Sequence, residues 1–437
     1  MTIPTSKSAA VTAISSAALF ATSLLAGDSC CKDGSNAKNE TGFDGITGDW
    51  GGMRATLKEN GYELNGNYTA EVFGNPRGGE KNGSVFNGLL KLTLDVNLEK
   101  AVGWPDATFR MSGLYPHGTS GSTRYVGDAS LYSNIDAHDS YRLVDFWIEQ
   151  KLLEGKVGVK VGQMRMDDEF GVMDSAAFLI NSTFGLPAAP ISPMPLPIYP
   201  VGALGIRLRV EPLQGLYVMG GIYDGNPSSG DFENPATNHV TGNASRHGTD
   251  WALRDSEGTL YIGEVGYQRT GCAYPGAIRL GMMRHTADFL DVGYTGGTRN
   301  TNMHSHTSSS YFVIDQTLWQ KAKDSKEGLS VFLRGAMAPE ATSYMSNSTQ
   351  VGLVYTGVLQ KEDKVGLAYA RNKFSPYQID EASGLSKGRE TITELSYQIP
   401  VTSYLKVQPD FQYISQPGGT SKNNGAWVLG VRAILDF

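Results

Sequence analysis

From residue 62 onward the apolar residues of this chain recur at every second position, in runs of about ten. Such runs form strands with one apolar and one polar face. Sixteen runs follow the pattern: 62–73, 87–99, 106–115, 141–151, 156–165, 202–211, 214–223, 258–269, 275–284, 309–320, 329–338, 349–360, 363–371, 389–399, 402–414 and 426–437. In LKLTLDVNL, Leu90, Leu92, Leu94, Val96 and Leu98 share one face, and Lys91, Thr93, Asp95 and Asn97 the other. Ile206, Leu208 and Val210 likewise oppose Arg207 and Arg209, and Leu405, Val407, Pro409, Phe411 and Tyr413 oppose Lys406, Gln408, Asp410 and Gln412. In the last run Trp427, Leu429, Val431, Ala433, Leu435 and Phe437 make an apolar face that ends in an aromatic residue.

The links between the runs are sorted by parity. Every second one is short: AVGWP, LLEG, the turn at Pro212–Gln214, TGCAY, KAKDSKEG, QKEDK and IPVT. The alternate links, 74–86, 116–140, 166–201, 224–257, 285–308, 372–388 and 415–425, are long and polar, with 339–348 of modest length. A soluble sandwich has no reason to sort its loops this way. An outer-membrane barrel does, with short periplasmic turns and long extracellular loops. The predicted fold is therefore all-β, a transmembrane antiparallel barrel of about sixteen strands closed by the run that ends in Phe437. A charge on the lipid face costs about 2–4 kcal/mol at mid-bilayer, so the strand charges are expected to face the lumen. Sixteen strands leave room for an aqueous channel. Tyr62, Tyr68, Trp104, Tyr355, Tyr369, Tyr397 and Tyr413 suit aromatic girdles at the two interfaces.

Composition narrows the class further. Charged residues make up 19% and hydrophobic ones 40%, and Gly is abundant at 53 residues, which favours short strands and turns over packed helices. The formal net charge of −7 argues against nucleic acid as a partner. Ala9–Ala26 is apolar, follows Lys7 and is too short for a span, so residues 1–26 are expected to be a signal peptide. Residues 27–61 then form a periplasmic segment, with a short helix over Thr47–Gly61 capped by Asp49 and ended at Gly61. Residues 62–437 form the barrel. Cys30, Cys31 and Cys272 fit no zinc or redox motif, and both a bridge and a reduced state stay open.

Three stretches carry a family resemblance. They are TGDWGGMRATLKENG at 47–61, GQMRMDDEF at 162–170 followed by Asn181, Phe184 and Tyr199-Pro200, and ELSYQIPVTSYLKVQPDFQYISQP at 394–417. Together they resemble the carbohydrate-selective porins of the OprB type over residues 45–437. The loop at 224–257 and the Cys30-Cys31 leader match no feature of that family. The resemblance implies a sixteen-stranded barrel that passes mono- or oligosaccharides passively. It also implies that the third long loop, 166–201, folds inward as a constriction.

That loop opens with Arg165, Asp167, Asp168 and Glu169 and closes with six prolines in GLPAAPISPMPLPIYP, a composition that favours stiff, extended backbone. These four charges are expected to face Arg110, Lys160, Arg207 and Arg209 on the wall, with Asp410 also lining the pore. Trp147 shares the inward face of 141–151 with Asp145 and Glu149, where a ring would stack on a pyranose. Catalytic readings find no support: there is no Gly-x-Ser-x-Gly and no phosphate loop, and no cofactor or metal is expected. A general or ion-selective porin, and a structural or adhesive barrel plugged by the 47–61 helix, are the alternatives. Outer-membrane lipids and the assembly machinery that reads the Phe437 strand are the expected partners, and trimer and monomer both stay open.

Overall fold

The computed structural model describes residues 45–228, 245–270, 273–295, 298–323, 325–378 and 388–437. The proposed leader and all three cysteines lie outside these residues. Sixteen strands, β1 to β16 in chain order, close into one antiparallel barrel. They are Tyr62–Gly79, Gly83–Asn97, Ala107–Gly118, Arg142–Leu152, Val157–Met164, Ala203–Leu213, Leu216–Asp224, Thr259–Arg269, Gly276–His285, Thr307–Gln320, Gly328–Met337, Met345–Thr356, Lys364–Phe374, Arg389–Pro400, Leu405–Ser415 and Asn424–Asp436. Each pairs with its sequence neighbours, and β1 pairs with β16 from Asn67↔Asp436 through Gly74↔Leu429. Closure leaves no exposed sheet edge, which is what a hydrocarbon surrounding demands.

The alternation sets the two faces as expected. Ile206 is 53% exposed on the outside while its neighbour Arg207 is 2% exposed within. Phe146 and Ile148 point out, and Asp145 and Trp147 point in. One expected loop is largely strand: β1 and β2 stay paired out to Asn75↔Gly83, so 74–86 is mostly hairpin. Gly78 makes its turn with φ +79°, where an added Cβ would lie 2.0 Å from the Gly425 carbonyl oxygen. The long link at 285–308 carries two small hairpins of its own.

The expected helix is Met53–Glu59, preceded by a 3-10 turn at Trp50–Gly52. The Ala55 N–H donates to Asp49 Oδ1 at 3.1 Å, so Asp49 does hold the N-terminal end. The segment lies at the β1/β16 seam, where the Ile46 N–H donates to the Asp436 carbonyl at 3.0 Å, and it does not plug the barrel.

The interior corrects the picture of a uniformly wet lumen. Val354, Ala368, Ala370, Ile392, Ile414 and Val428 point inward from β12 to β16, and each is at most 3% exposed. They pack on an apolar core contributed by the inward-folded segment 165–202: Met166, Phe170, Phe178, Leu179, Ile180, Phe184, Leu186, Met194 and Leu196. The far side of the barrel is therefore filled: its inward charges, among them Arg334, Glu390 and Glu394, are buried under the inward-folded segments, and the more accessible charged side chains lie on the opposite wall.

Candidate pore constriction

Residues 165–202 join β5 to β6 and cross the lumen as a strap. The far wall grips the strap by its backbone. Glu394 of β14 accepts the Ile180 and Asn181 N–H groups at 2.7 and 2.9 Å. Glu264 of β8 accepts the Gly171 N–H at 2.8 Å. Asp315 of β10 accepts the Ser175 N–H at 2.9 Å. Arg334 of β11, fully buried, donates to the carbonyls of Gly171, Thr183 and Gly185 at 3.2, 2.9 and 2.7 Å. Charged groups in a buried interior are stable only when their bonding capacity is filled; here the strap's peptide groups supply part of it, and Gln350 Oε1 for Arg334 and the Tyr217 and Tyr311 hydroxyls for Glu264 supply more. The loop 119–141 is held in the same way: Glu390 of β14 accepts the Ala129 and Ser130 N–H groups at 2.9 and 3.0 Å.

The proline-rich return is less extended than expected. Ala188–Ile191 forms one helical turn directly after Pro187. A first turn tolerates Pro190, because N–H groups there have no partner within the helix. Met194 and Leu196 then bury themselves at 1% and 4% exposure.

The strap's first turn faces the wall built by β2 to β6. Glu169 is the side chain that crosses to it. Its carboxylate accepts from Arg207 Nε and Nη2 at 2.9 and 2.6 Å and from Lys160 Nζ at 3.0 Å. Arg207 also donates to Glu149 Oε1 at 2.6 Å and to the Gly158 carbonyl at 3.2 Å. Desolvation alone would raise the Glu169 pKa, but the Arg207 hydrogen bonds and the Lys160 charge outweigh it and hold the carboxyl below its ordinary range.

The other expected charges have different partners. Asp168 forms a bidentate pair with Arg165 at 2.6 and 2.8 Å inside the strap. Asp167 Oδ2 accepts the Tyr199 N–H at 3.2 Å and so ties the strap's entry to its exit. Burial pushes the Asp167 carboxyl up to about 6, with Arg165 opposing. Arg110 is bidentate to Asp95 on the neighbouring strand at 2.6 and 3.1 Å. Arg209 does not meet the strap. It lies near the short β6–β7 turn, with its guanidinium 3.9 Å from the Tyr217 ring centroid.

Two expected lining residues are covered. Trp147 is 7% exposed, with Lys160 Nζ 4.2 Å and Arg110 Cζ 5.3 Å from its ring centroid. Two cations occupy the ring by cation–π contact, so it serves as their platform and not as an open stacking face. Asp410 is 5% exposed and takes a hydrogen bond from Gln412 Nε2 at 2.9 Å. It sits on the filled side beneath the strap, because the inward face of β15 there is already occupied.

The family profile described as "Carbohydrate-selective porin, OprB family" matches residues 81–437. The chain belongs to that family. This OprB-family porin is 28% identical over 428 residues to Porin B of Pseudomonas aeruginosa, covering 89% of this chain and 90% of the relative. It is 23% identical to a putative porin, QuiX, of Acinetobacter baylyi, covering 90% and 93%. The structure of Pseudomonas putida OprB at high pH superposes with a TM-score of 0.76 at 25% identity, covering 90% of this chain and 98% of that one. The protein is thus an outer-membrane sugar porin, a channel by family.

Sequence reading missed the strap's anchors. Glu264, Asp315, Arg334 and Glu394 meet backbone groups of the strap far away in sequence, 214 residues away for Glu394 and Ile180. Their only sequence signal is a charged residue on the inward face of a strand.

Proposed function

We propose that the porin passes neutral carbohydrates by passive diffusion through an eyelet between strap residues 165–169 and the β2–β6 wall. The observation that carries this reading is the Glu169 bridge to Lys160 and Arg207, which ties the strap to the charged wall. Accessibility then divides the roles. The side chains of Asp168, Arg110 and Asp95 are 42%, 38% and 25% exposed, so these groups meet the solute. Arg207 and Lys160, at 2% and 10%, hold the frame.

Paired charges suit a polyhydroxyl solute. Each sugar hydroxyl donates to a carboxylate and accepts from a guanidinium, replacing the water it leaves behind. Arg110, Arg165, Lys160 and Arg207 all have carboxylate partners, so the passage offers hydrogen bonds of both kinds without the one-sided charge that concentrates ions. In this reading residues 1–26 direct export, and the strand ending in Phe437 is read by the assembly machinery. Liposome swelling tests the function. Vesicles with the folded porin swell faster in a neutral disaccharide than a general porin of equal conductance allows. Swelling set by solute size alone would instead make this a general porin.

A further inference from the structure

The stretch Thr47–Arg54 takes no part in the eyelet, yet it is built tightly. Arg54 is only 6% exposed although it lies outside the barrel wall. Its guanidinium carbon lies 4.8 Å from the Trp50 ring centroid. Nη1 donates to the Gly48 carbonyl at 3.3 Å and to Thr47 Oγ1 at 3.4 Å. Nη2 donates to the Leu64 carbonyl at 3.0 Å and to the Phe437 carbonyl at 3.1 Å. Leu64 belongs to β1, and Phe437 directly follows β16.

These are the two strands whose pairing closes the sheet. Every other neighbouring pair in the barrel is consecutive in sequence and joined by a link, whereas β1 and β16 are joined by none. An untethered strand end frays first. At this end the Phe437 N–H donates to the Gly66 carbonyl at 2.9 Å, and Arg54 supplies the next rung, at Leu64. The approach is close. A Cβ on Gly45 would lie 2.3 Å from the Phe437 carbonyl carbon, and one on Gly66 would lie 2.8 Å from the Phe437 ring. At its other end the segment is fixed to β2, where the Asn97 N–H donates to the Gly61 carbonyl at 2.7 Å.

We propose that residues 45–61 form a periplasmic clasp that locks the barrel seam, with Arg54 Nη2 bridging the first and last strands and Nη1 tying them to the Thr47–Gly48 turn. Arginine suits the position because Nη2 reaches both strands while Nη1 of the same planar group holds Gly48 and Thr47 and the plane stacks on Trp50; a lysine ammonium has no second nitrogen to hold the segment. The clasp is independent of the sugar reading, since Arg54 touches no residue of the eyelet.

Hydrogen exchange of the full-length, detergent-folded protein tests it, comparing wild type with Arg54→Gln and Arg54→Lys. Removing the fork is expected to speed exchange about tenfold or more at the amides of 64–74 and 429–436, with β10 and β11 unchanged. Arg54→Lys keeps the charge and is expected to fall between. Seam exchange equal to wild type in both variants overturns the clasp. So does a uniform loss of protection over all strands, which would make Arg54 a general stability residue. Should Arg54→Gln fail to fold, the Arg54→Lys comparison decides by the same criteria.

Discussion

Replacing Arg207 by Ala strikes the junction between strap and wall. The substitution removes three hydrogen bonds that Arg207 donates to carboxylates, two to Glu169 and one to Glu149. Breaking one partner out of a buried ion pair costs about 3–5 kcal/mol. Glu149 and Glu169 keep 19% and 25% of their side-chain surface exposed and can recover some solvation, so the lower end, about 3 kcal/mol, applies. That energy falls on the strap's first turn, where Glu169 is left with Lys160, at 3.0 Å, as its tie to this wall. At about 1.4 kcal/mol per factor of ten, the detached state of the turn becomes about 100-fold more populated. The backbone pairing of Arg207 with Lys160 and Gly221 does not depend on its side chain, so far-UV circular dichroism and insertion stay as in wild type. Single-channel recording should then show higher mean conductance, more open-state noise and sugar block weakened about tenfold. Arg207→Lys keeps the charge without the fork and should lie between. Wild-type conductance, noise and block in Arg207→Ala would refute the role given to this junction.

Three further outcomes are expected. Glu394→Gln leaves one acceptor oxygen for the two strap N–H groups of Ile180 and Asn181, which costs about 1–3 kcal/mol and should lower the thermal midpoint and widen the conductance distribution. Burial raises the Asp167 and Asp136 carboxyls to about 6 and Asp128 to about 8, so the folded state binds these protons more tightly than the unfolded chain does. That stability is fully present below the ordinary carboxylate range and is lost as pH rises through 6 to 8. The thermal midpoint should therefore fall between pH 5 and 9, and Asp128→Asn should flatten the upper part; a rising midpoint would contradict this. Asp168→Asn frees Arg165 and exposes net positive charge at the eyelet, so reversal potentials should shift toward anions.

The fold was largely legible because a barrel needs little beyond period-two alternation and parity-sorted links. Nearly all sixteen strands begin and end within a few residues of the expected runs. The largest shifts come at β1 and β2, whose hairpin extends beyond the alternating part, and at β12, which begins and ends four residues early. The strap was legible through its length and its place after β5. Its contents were only partly so. Alternation says which face a residue takes, not what covers it, so Asp410 and Trp147 were rightly placed inward but wrongly left open. Inward Ile392 and Val428 interrupt the polar face of their strands, and they do so because the strap packs on them. The Glu169 bridge had a sequence basis, in a carboxylate placed just after a strand whose inward face carries Lys160. Arg209 has the same inward parity as Arg207 but sits at a different height, and height follows from barrel stagger, which one strand's pattern does not reveal.

The most direct test of the account is single-channel current of the purified, folded porin in a planar bilayer, titrated with glucose and then with a maltose-type oligosaccharide. The account predicts stepwise channels whose ion current falls saturably with sugar, with weaker block when Arg110 or Asp168 is replaced by a neutral residue. Open channels indifferent to sugar, or block untouched by either replacement, would contradict it.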